Sequence, residues 1–335
     1  MILGVESSCD DTSLAVFDEQ NGAFPYEKTS SQADWHRSYG GVVPQLAVRE
    51  HLRNFPILLE DLKQKIPLSK ITKIAVTCGP GLPGSLALGV SFAKSLGLLL
   101  NRSVIGIHHL RGHILSPFIG KKLSEKDFKT ENFPHLSLLV SGGNTILSEM
   151  TSDFKIQILA QTVDDAAGEA IDKGAKLMGL KYPGGPEIER WAMQGDVKSF
   201  KFPQAFTKPN EMSFSFSGLK TSLRYLLEKL NDEELREQSN NICASYQFAV
   251  VDVLTKKMEQ ALSQGNFRSI GLSGGVSNNQ FLRKRVQKLV EIKQIACHLP
   301  EPKYTGDNAS MIAFAAAFDE SHSAEIVDFY PNWKL

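Results

Sequence analysis

Excess charge of either sign is missing from this chain: 37 Lys and Arg offset 37 Asp and Glu, for a formal net charge of +0. A free-standing nucleic-acid binder is usually basic, so contact with nucleic acid here needs a local patch or a partner. Cysteine is scarce. Cys9, Cys78, Cys243 and Cys297 are widely scattered and form no CxxC pair. That excludes a disulfide framework and a zinc ribbon and points to reduced thiols in a cytosolic protein. Long hydrophobic runs are also absent. The best, 86–100, reads as too short to span a membrane and carries Lys94. Met1 to Val5 runs straight into Glu6 with no signal-peptide pattern, so a cytoplasmic protein with no membrane partner is expected.

The 335 residues, 42% hydrophobic and 22% charged, exceed one ordinary core and suggest two domains of a globular protein. Residues 2–5 read as a buried strand, 6–12 as a polar turn and 13–17 as a second strand. This hairpin turn carries hydroxyls and carboxylates in place of the usual Asn-Gly. Such a turn serves equally as an ordinary polar connection or as a cradle for phosphate, with carboxylates holding magnesium. A long amphipathic helix is expected over 43–62, with Pro44 in its first turn and a kink at Pro56. Strands at 73–77 and 104–107 flank a helix over 86–100. The glycine-rich stretch between Gly79 and Ser85 lacks the P-loop lysine, so close backbone passage explains it better than phosphate binding. Strands alternating with helices favour an α/β architecture.

After a polar connection at 120–134 the opening pattern returns. Residues 135–140 and 145–147 read as strands around the turn Ser141-Gly142-Gly143-Asn144. Two hairpins with polar turns, each opening half of the chain, suggest duplicated halves. The division expected is 1–120 plus 307–335 for the N-terminal lobe and 121–306 for the C-terminal lobe. Further on, Asp165 is placed to cap a helix that carries Asp172, and Tyr182 to Pro186 form a tight turn before Glu187 and Glu189. Phe214 to Lys220 mixes aromatics with serines, which suits core packing more than a ligand. A strand at 269–272 ends in the glycine- and asparagine-rich loop Ser273 to Asn279, the kind of strand end where α/β sheets bind ligands.

Three of the eight histidines fall in 106–118. A short helix from His109 to a stop before Pro117 puts His109 and His113 on one face. That pair suits a packed helix surface, or two ligands of a divalent metal whose third ligand is remote. Asp307, before an apolar helix at 309–318, is the best-placed late carboxylate for that third ligand, although capping the helix is its commoner use. Leu110 stands where a zinc peptidase of the H-E-x-x-H type needs glutamate.

The motifs from Glu6 to Thr12, Gly40 to His51, Gly79 to Leu82, His108 to His113, Leu139 to Thr145, Asp164 to Ala170, Tyr182 to Pro186, Ser215 to Lys220, Gly274 to Asn279 and Gly306 to Asn308 resemble, in this order, the TsaD family. These are tRNA adenosine threonylcarbamoyltransferases, once described as O-sialoglycoprotein endopeptidases (Gcp). The resemblance covers nearly the whole chain. It implies an actin-like ATPase (ASKHA) fold of two ribonuclease H-like lobes around a nucleotide cleft. It implies transfer of threonylcarbamoyl from threonylcarbamoyl-adenylate to the exocyclic amine of adenosine 37 in tRNAs reading codons that begin with adenine. Carried over by residue, it implies metal ligation by His109, His113 and Asp307, and substrate binding by Leu139, Val140, Ser141, Gly142, Gly143, Asp172, Gly185, Glu189 and Asn279. Asp10 and Asp11 become the catalytic pair near the phosphates. The implied cofactors are one iron or zinc ion per subunit and ATP or the adenylate, with magnesium as a candidate counter-ion. The implied partners are tRNA, a TsaB-like paralogue, a TsaE-like ATPase and a TsaC-type enzyme that supplies the adenylate. Four positions depart from the family pattern: Asp11 replaces a glutamate, Arg111 an acidic or small residue, Asn144 a histidine, and Gly174 a valine or threonine. A small-molecule O-carbamoyltransferase and a non-catalytic scaffold of the same fold are the rival readings.

Overall fold

A computed structural model of the chain describes residues 1–121, 126–208, 211–318 and 327–335. The chain divides into two compact units, Met1–Lys129 with Pro300–Leu335, and Thr130–Leu299. The first opens with strands β1 (Ile2–Glu6), β2 (Asp11–Asp18) and β3 (Ala23–Ser31), followed by helices α1 (Ala33–Arg37) and α2 (Pro44–Lys65). It continues through β4 (Lys73–Gly79), α3 (Pro83–Leu100), β5 (Ser103–His108) and α4 (His109–Leu115); α5 (Lys126–Asn132) bridges the boundary. The second unit holds β6 (His135–Val140), β7 (Thr145–Met150), β8 (Ile156–Gln161), α6 (Ala167–Leu177), α7 (Gly184–Ala192) and α8 (Ser217–Leu227). Its remainder is α9 (Asp232–Gln264), β9 (Ser269–Ser273), α10 (Gln280–Lys293) and β10 (Ala296–His298), after which α11 (Ala309–Phe318) rejoins the first unit.

The sheets run β3-β2-β1-β4-β5 and β10-β9-β6-β7-β8. Counted within its own unit, each follows the order third, second, first, fourth, fifth. In each, the first three strands are antiparallel and the last two join in parallel. The duplication suggested by the two hairpins is therefore one topology used twice.

In the first unit, strand alternation divides β1 between two faces. Leu3 and Val5 join Leu14, Val16, Ile74 and Val76 in the core formed with α2 and α3. The α2 stripe Ala47, His51, Phe55, Leu58 and Leu62 repeats at three- and four-residue steps and is buried there. Ile2, Gly4 and Glu6 point to the opposite face. At Gly4 a Cβ would fall 2.2 Å from the Ala309 carbonyl oxygen, so only glycine lets α11 lie this close to β1. Ala309 to Ala316 are all buried, as expected of a helix apolar on every side.

The structure corrects several sequence expectations. Helix α3 begins at Pro83, so its 18 residues and mean hydropathy of 1.3 make it long and apolar enough to cross a membrane by length and composition. Its Leu86, Val90, Ala93 and Leu96 are instead buried in the unit. Burial of Leu86 or Val90 contributes about 1.5–3 kcal/mol each. Asp165 caps no helix: Thr145 Oγ1 accepts from the first amide of α6 at 2.9 Å, while Asp165 pairs with Lys173 at 2.7 Å. Its neighbour Asp164 accepts from the Phe216 amide at 2.8 Å and from the Ser217 hydroxyl at 2.7 Å, which makes it a remote cap for α8. Part of the 120–134 connection, 122–125, lies outside the described residues.

Candidate active site

The first unit builds the metal candidate. β5 delivers the chain to α4, whose first turn is capped by His108: its Nδ1 accepts from the Leu110 amide at 3.2 Å. Burial holds His108 down to about 3, so it stays neutral and serves the helix start beside Trp333, 4.8 Å away between ring centroids. His109 and His113 face the start of α11. A Cβ on Gly112, between them in sequence, would lie 2.9 Å from Ile312 Cδ1, so α4 and α11 approach closely there. Asn308, not Asp307, caps α11 by accepting from the Met311 amide at 2.9 Å. Asp307 is thereby left to the histidines: its Oδ1 lies 3.5 Å from His109 Nε2 and 3.0 Å from His113 Nε2. One donor atom from each of the three residues falls within 4.8 Å of the others.

Glu6 stands behind His109. It is fully buried. One carboxylate oxygen accepts from the Ser8 amide at 2.5 Å. The other accepts from the Thr77 hydroxyl at 2.5 Å and lies 3.1 Å from His109 Nδ1. Burial alone would raise its pKa, but the His109 charge and these hydrogen bonds hold it below the ordinary value. Burial likewise opposes charge on His109, yet Asp307 and Glu6 outweigh it and push His109 up to about 9. Asp307 is lowered by the two histidines against the effect of burial.

This set fits a metal. With Nδ1–H donating to Glu6, a neutral His109 turns its Nε2 lone pair toward the Asp307 carboxylate, and two electron-rich atoms then face each other. A proton or a metal cation relieves that repulsion, and two imidazoles with one carboxylate suit zinc or iron.

Asp11 opens β2 in the same unit. Burial first, then the Asp307 charge, pushes it up to about 7, and its Oδ1 is buried with no hydrogen-bond partner. Asp10 contributes its carbonyl, which accepts from the Gln32 amide at 3.1 Å. Hairpin register explains why Glu6 escaped the sequence reading. Its polarity groups it with the turn 6–12, whereas it is the last residue of β1, opposite Ser13 and on the Gly4 face. A strand extended by one residue, with its parity kept, would have found it.

The second unit gathers the remaining candidates. Leu139 and Val140 are fully buried at the end of β6, so only their backbone is available to a ligand. The turn after them closes by a bond from the Ser141 amide to the Asn144 carbonyl at 2.8 Å and one from the Asn144 amide to Ser141 Oγ at 3.1 Å. Side chains added to Gly142 or Gly143 would meet open space. Gly168 and Gly274 instead let neighbours close on the turn: Cβ atoms there would fall 2.5 Å from the Ser141 oxygen and 2.3 Å from the Val140 oxygen. Asp172 accepts from the Gly184 amide at 2.7 Å and also bonds the Gly185 amide. Desolvation nevertheless raises its pKa. Glu189 accepts from the Gln280 amide at 2.6 Å, which caps α10. Asn279 uses both ends of its amide within the unit: it accepts from the Leu282 amide at 2.9 Å and donates to Gln247 at 2.8 Å. At Gly174 a Cβ would lie 2.5 Å from the Tyr246 ring. The glycine there makes room for that ring, whose hydroxyl donates to the Ala170 carbonyl at 2.8 Å.

Comparison with known proteins gives two results. By structure, the chain is similar to full-length HypF in its phosphate- and nucleotide-bound form, with a TM-score of 0.61 at 12% identity. That match covers 96% of this chain and 46% of HypF, so the chain spans about half of HypF's length. It is also similar to the activator of 2-hydroxyisocaproyl-CoA dehydratase from Clostridium difficile with bound ADPNP. Here the TM-score is 0.52 and the identity 14%, over 96% of this chain and 95% of the other. Both likenesses concern the fold, which is the actin-like ATPase fold. By sequence, the chain is 42% identical to the tRNA N6-adenosine threonylcarbamoyltransferase of Dichelobacter nodosus, over 100% of this chain and 96% of that protein. It is 42% identical to the Thermosipho africanus protein of the same description, over 94% and 93%. The model of the TsaD family matches residues 26–314. The chain therefore belongs to the TsaD family, tRNA N6-adenosine threonylcarbamoyltransferases.

Proposed function

We propose that this protein is the transferase that moves a threonylcarbamoyl group from threonylcarbamoyl-adenylate to the exocyclic amine of adenosine 37 in tRNA. The observation that carries the reading is family membership over the length of the chain. Bound to His109, His113 and Asp307, an iron or zinc ion would act as a Lewis acid on the transferred group or its phosphate leaving group.

The chain's own residues account for the rest. Glu6 fixes the Nδ1–H tautomer of His109, so that Nε2 faces the metal position. The adenosine amine is a weak nucleophile that must lose a proton as it attacks, so positioning and proton removal matter most. Asp11, raised to about 7, can accept that proton near neutral pH, and Asp10 beside it in the turn is the second member of the catalytic pair. In the second unit the exposed backbone of Gly142 and Gly143, beside half-buried Ser141, suits close approach by a nucleotide. Asp172, Gly185, Glu189 and Asn279 hold the surrounding helices in place, and ATP or the adenylate is the ligand proposed there, with magnesium as a counter-ion.

Helper proteins belong to the proposal: a TsaB-like paralogue, a TsaE-like ATPase and a TsaC-type enzyme making the adenylate. Large exposed apolar side chains on the first unit, Leu52 and Ile57 on α2 and Leu98 and Leu99 on α3, support a protein partner. A tRNA substrate supports a cytoplasmic location. The test is reconstitution. The protein with competent partners, threonine, bicarbonate, ATP and unmodified tRNA should yield threonylcarbamoyladenosine by nucleoside mass spectrometry. Unmodified tRNA from that mixture refutes the function.

A further inference from the structure

A groove of about 630 Å³ on the second unit is lined by Phe200, Phe202 and Tyr225, by Lys201 and Lys229, and by Thr221. It lies along α8, and the motif that opens this helix has its aromatics Phe214 and Phe216 buried. The core thus accounts for that motif, but not for the exposed face beyond it.

Charge in the segment that carries this groove departs from the neutral balance of the chain, and two of its cations, Lys201 and Lys229, line the groove itself. Between Val197 and Lys229 stand six cationic residues, Lys198, Lys201, Lys208, Lys220, Arg224 and Lys229, against two acids, Glu211 and Glu228. Some lysines of the unit are tied to carboxylates, as Lys173 is to Asp165 and Lys256 to Asp252. Among the described residues Lys198, Lys201, Lys220 and Lys229 make no ion pair, and all four are exposed. Arg224 meets Glu228 only at 3.6 Å, with its guanidinium 5.3 Å from the Tyr225 ring centre. Tyr225 itself is 53% exposed. The acids that follow in sequence, Asp232 to Glu234, occupy the first turn of α9, where the helix dipole favours them, and none lines the groove.

Unpaired cations beside an exposed aromatic ring are what an RNA strand requires: phosphates meet ammonium groups, and an unstacked base rests on the ring. We infer that this face of α8 is a docking surface for the substrate tRNA, with Lys201 and Lys229 contacting phosphates and Tyr225 stacking a base. The inference rests on the proposed function for the identity of the RNA. It also supplies the local patch that a chain of zero net charge needs.

The test uses the full chain with its partner proteins. Lys201→Ala/Lys229→Ala and Tyr225→Ala are compared with wild type by fluorescence anisotropy of labelled tRNA across a salt series, and by steady-state modification kinetics. The double variant should lower the slope of log affinity against log salt by about 1.4–1.8, from two lost phosphate contacts. Tyr225→Ala should weaken binding about fivefold to a hundredfold with little change in slope. Both should raise KM for tRNA while kcat at saturating tRNA and metal content stay at wild-type values. Wild-type affinity and salt slope in both variants would overturn the inference. So would variants that lose binding of a partner protein or a polyglutamate peptide while tRNA binding is intact, since the groove would then serve an acidic protein segment. Failure of the functional reading looks different: wild-type protein would bind tRNA and leave it unmodified, and the binding series would still decide the surface.

Discussion

Replacing Glu6 by Gln probes the support of the proposed metal site without touching a proposed ligand. The carboxylate is fully buried and accepts from the Ser8 amide and the Thr77 hydroxyl, both at 2.5 Å, while His109 Nδ1 lies 3.1 Å away. All three neighbours donate to the carboxylate, whereas an amide of the same shape keeps these contacts only by turning its NH2 group to the Thr77 oxygen and to a His109 Nδ1 that has given up its proton, which is the wrong tautomer for a metal at Nε2. The change also removes the negative charge that fixes the His109 tautomer. Losing an outer-shell partner of a metal histidine typically lowers metal affinity 10- to 100-fold, which is about 1.4–2.8 kcal/mol. The assay is a competition titration of the apoprotein with zinc against a chromophoric chelator, read beside the ligand-field spectrum of the cobalt form. His109→Ala and the double variant complete a cycle. If Glu6 acts through His109, the second substitution adds little to the first, and the coupling energy is comparable to the single effect. Full zinc affinity in Glu6→Gln, or simple additivity with His109→Ala, would refute the orienting role. Unfolding midpoints measured in parallel separate loss of orientation from loss of fold, since breaking charged hydrogen bonds in the core costs about 1.5–3 kcal/mol of stability by itself.

Three further outcomes follow from the same geometry. His109 is pushed up to about 9 in the metal-free site and must lose a proton to bind metal, so zinc affinity should rise about tenfold per pH unit toward pH 9 and then level. A flat profile, or no proton release in calorimetry in two buffers, contradicts this. Gly4→Ala puts a Cβ 2.2 Å from the Ala309 oxygen; it should destabilise by about 1–3 kcal/mol and also weaken metal binding by shifting the start of α11, as denaturant melts and zinc titration would report. Gly174→Val drives a side chain into the Tyr246 ring, 2.5 Å from the Cβ position. It should lower thermal stability, with partial recovery when Tyr246→Leu is added, and equal losses with and without that second change would exclude the clash.

Legibility from sequence followed period and local chemistry. The helix at His109 and the strand His135–Val140 have sharp boundaries in sequence, a histidine pair stopped by Pro117 and an apolar run ended by Ser-Gly-Gly, while the first strand reads as 2–5 and runs one residue further, to Glu6. The 33-residue α9 did not stand out. Most residues from Ile242 to Met258 are buried, including Ser245, Gln247, Asp252 and Lys257, so no polar face repeats against an apolar one. Lys257 is accommodated because its ammonium donates to the Phe206 and Glu211 carbonyls, a compensation no local pattern encodes. β3 was lost for the opposite reason: it is an edge strand, largely exposed, with few apolar residues to mark it. At the candidate site the ligands were readable as residue types. What sequence could not express was how Asp307, with a commoner use as a helix cap, comes to be free, because that depends on Asn308 taking the cap.

The metal candidate also explains a feature of chain order. His113 and Asp307 are 194 positions apart, and the whole of Thr130–Leu299 is inserted between the segments that carry them. Asp307 reaches the first unit only because α11 returns there, and α11 has little alternative. Its residues from Ala309 to Ala316 are buried with no charged side chain among them, so leaving them in water forfeits roughly 25 cal/mol for each Å² of apolar surface. The driving force that docks the helix is therefore hydrophobic and unspecific in direction. The small residues at Gly4 and Gly112 set its depth, and the Ser13 hydroxyl, which accepts from the Ala309 amide at 2.9 Å, sets its register. Placement of Asp307, the proposed third ligand, thus follows from packing that works without metal, and any metal-dependent energy would be confined to the His109, His113 and Asp307 cluster with Glu6 behind it. An insertion as large as the second unit is tolerated because loop-closure entropy grows only with the logarithm of length, and the apolar surface that α11 buries repays that small cost.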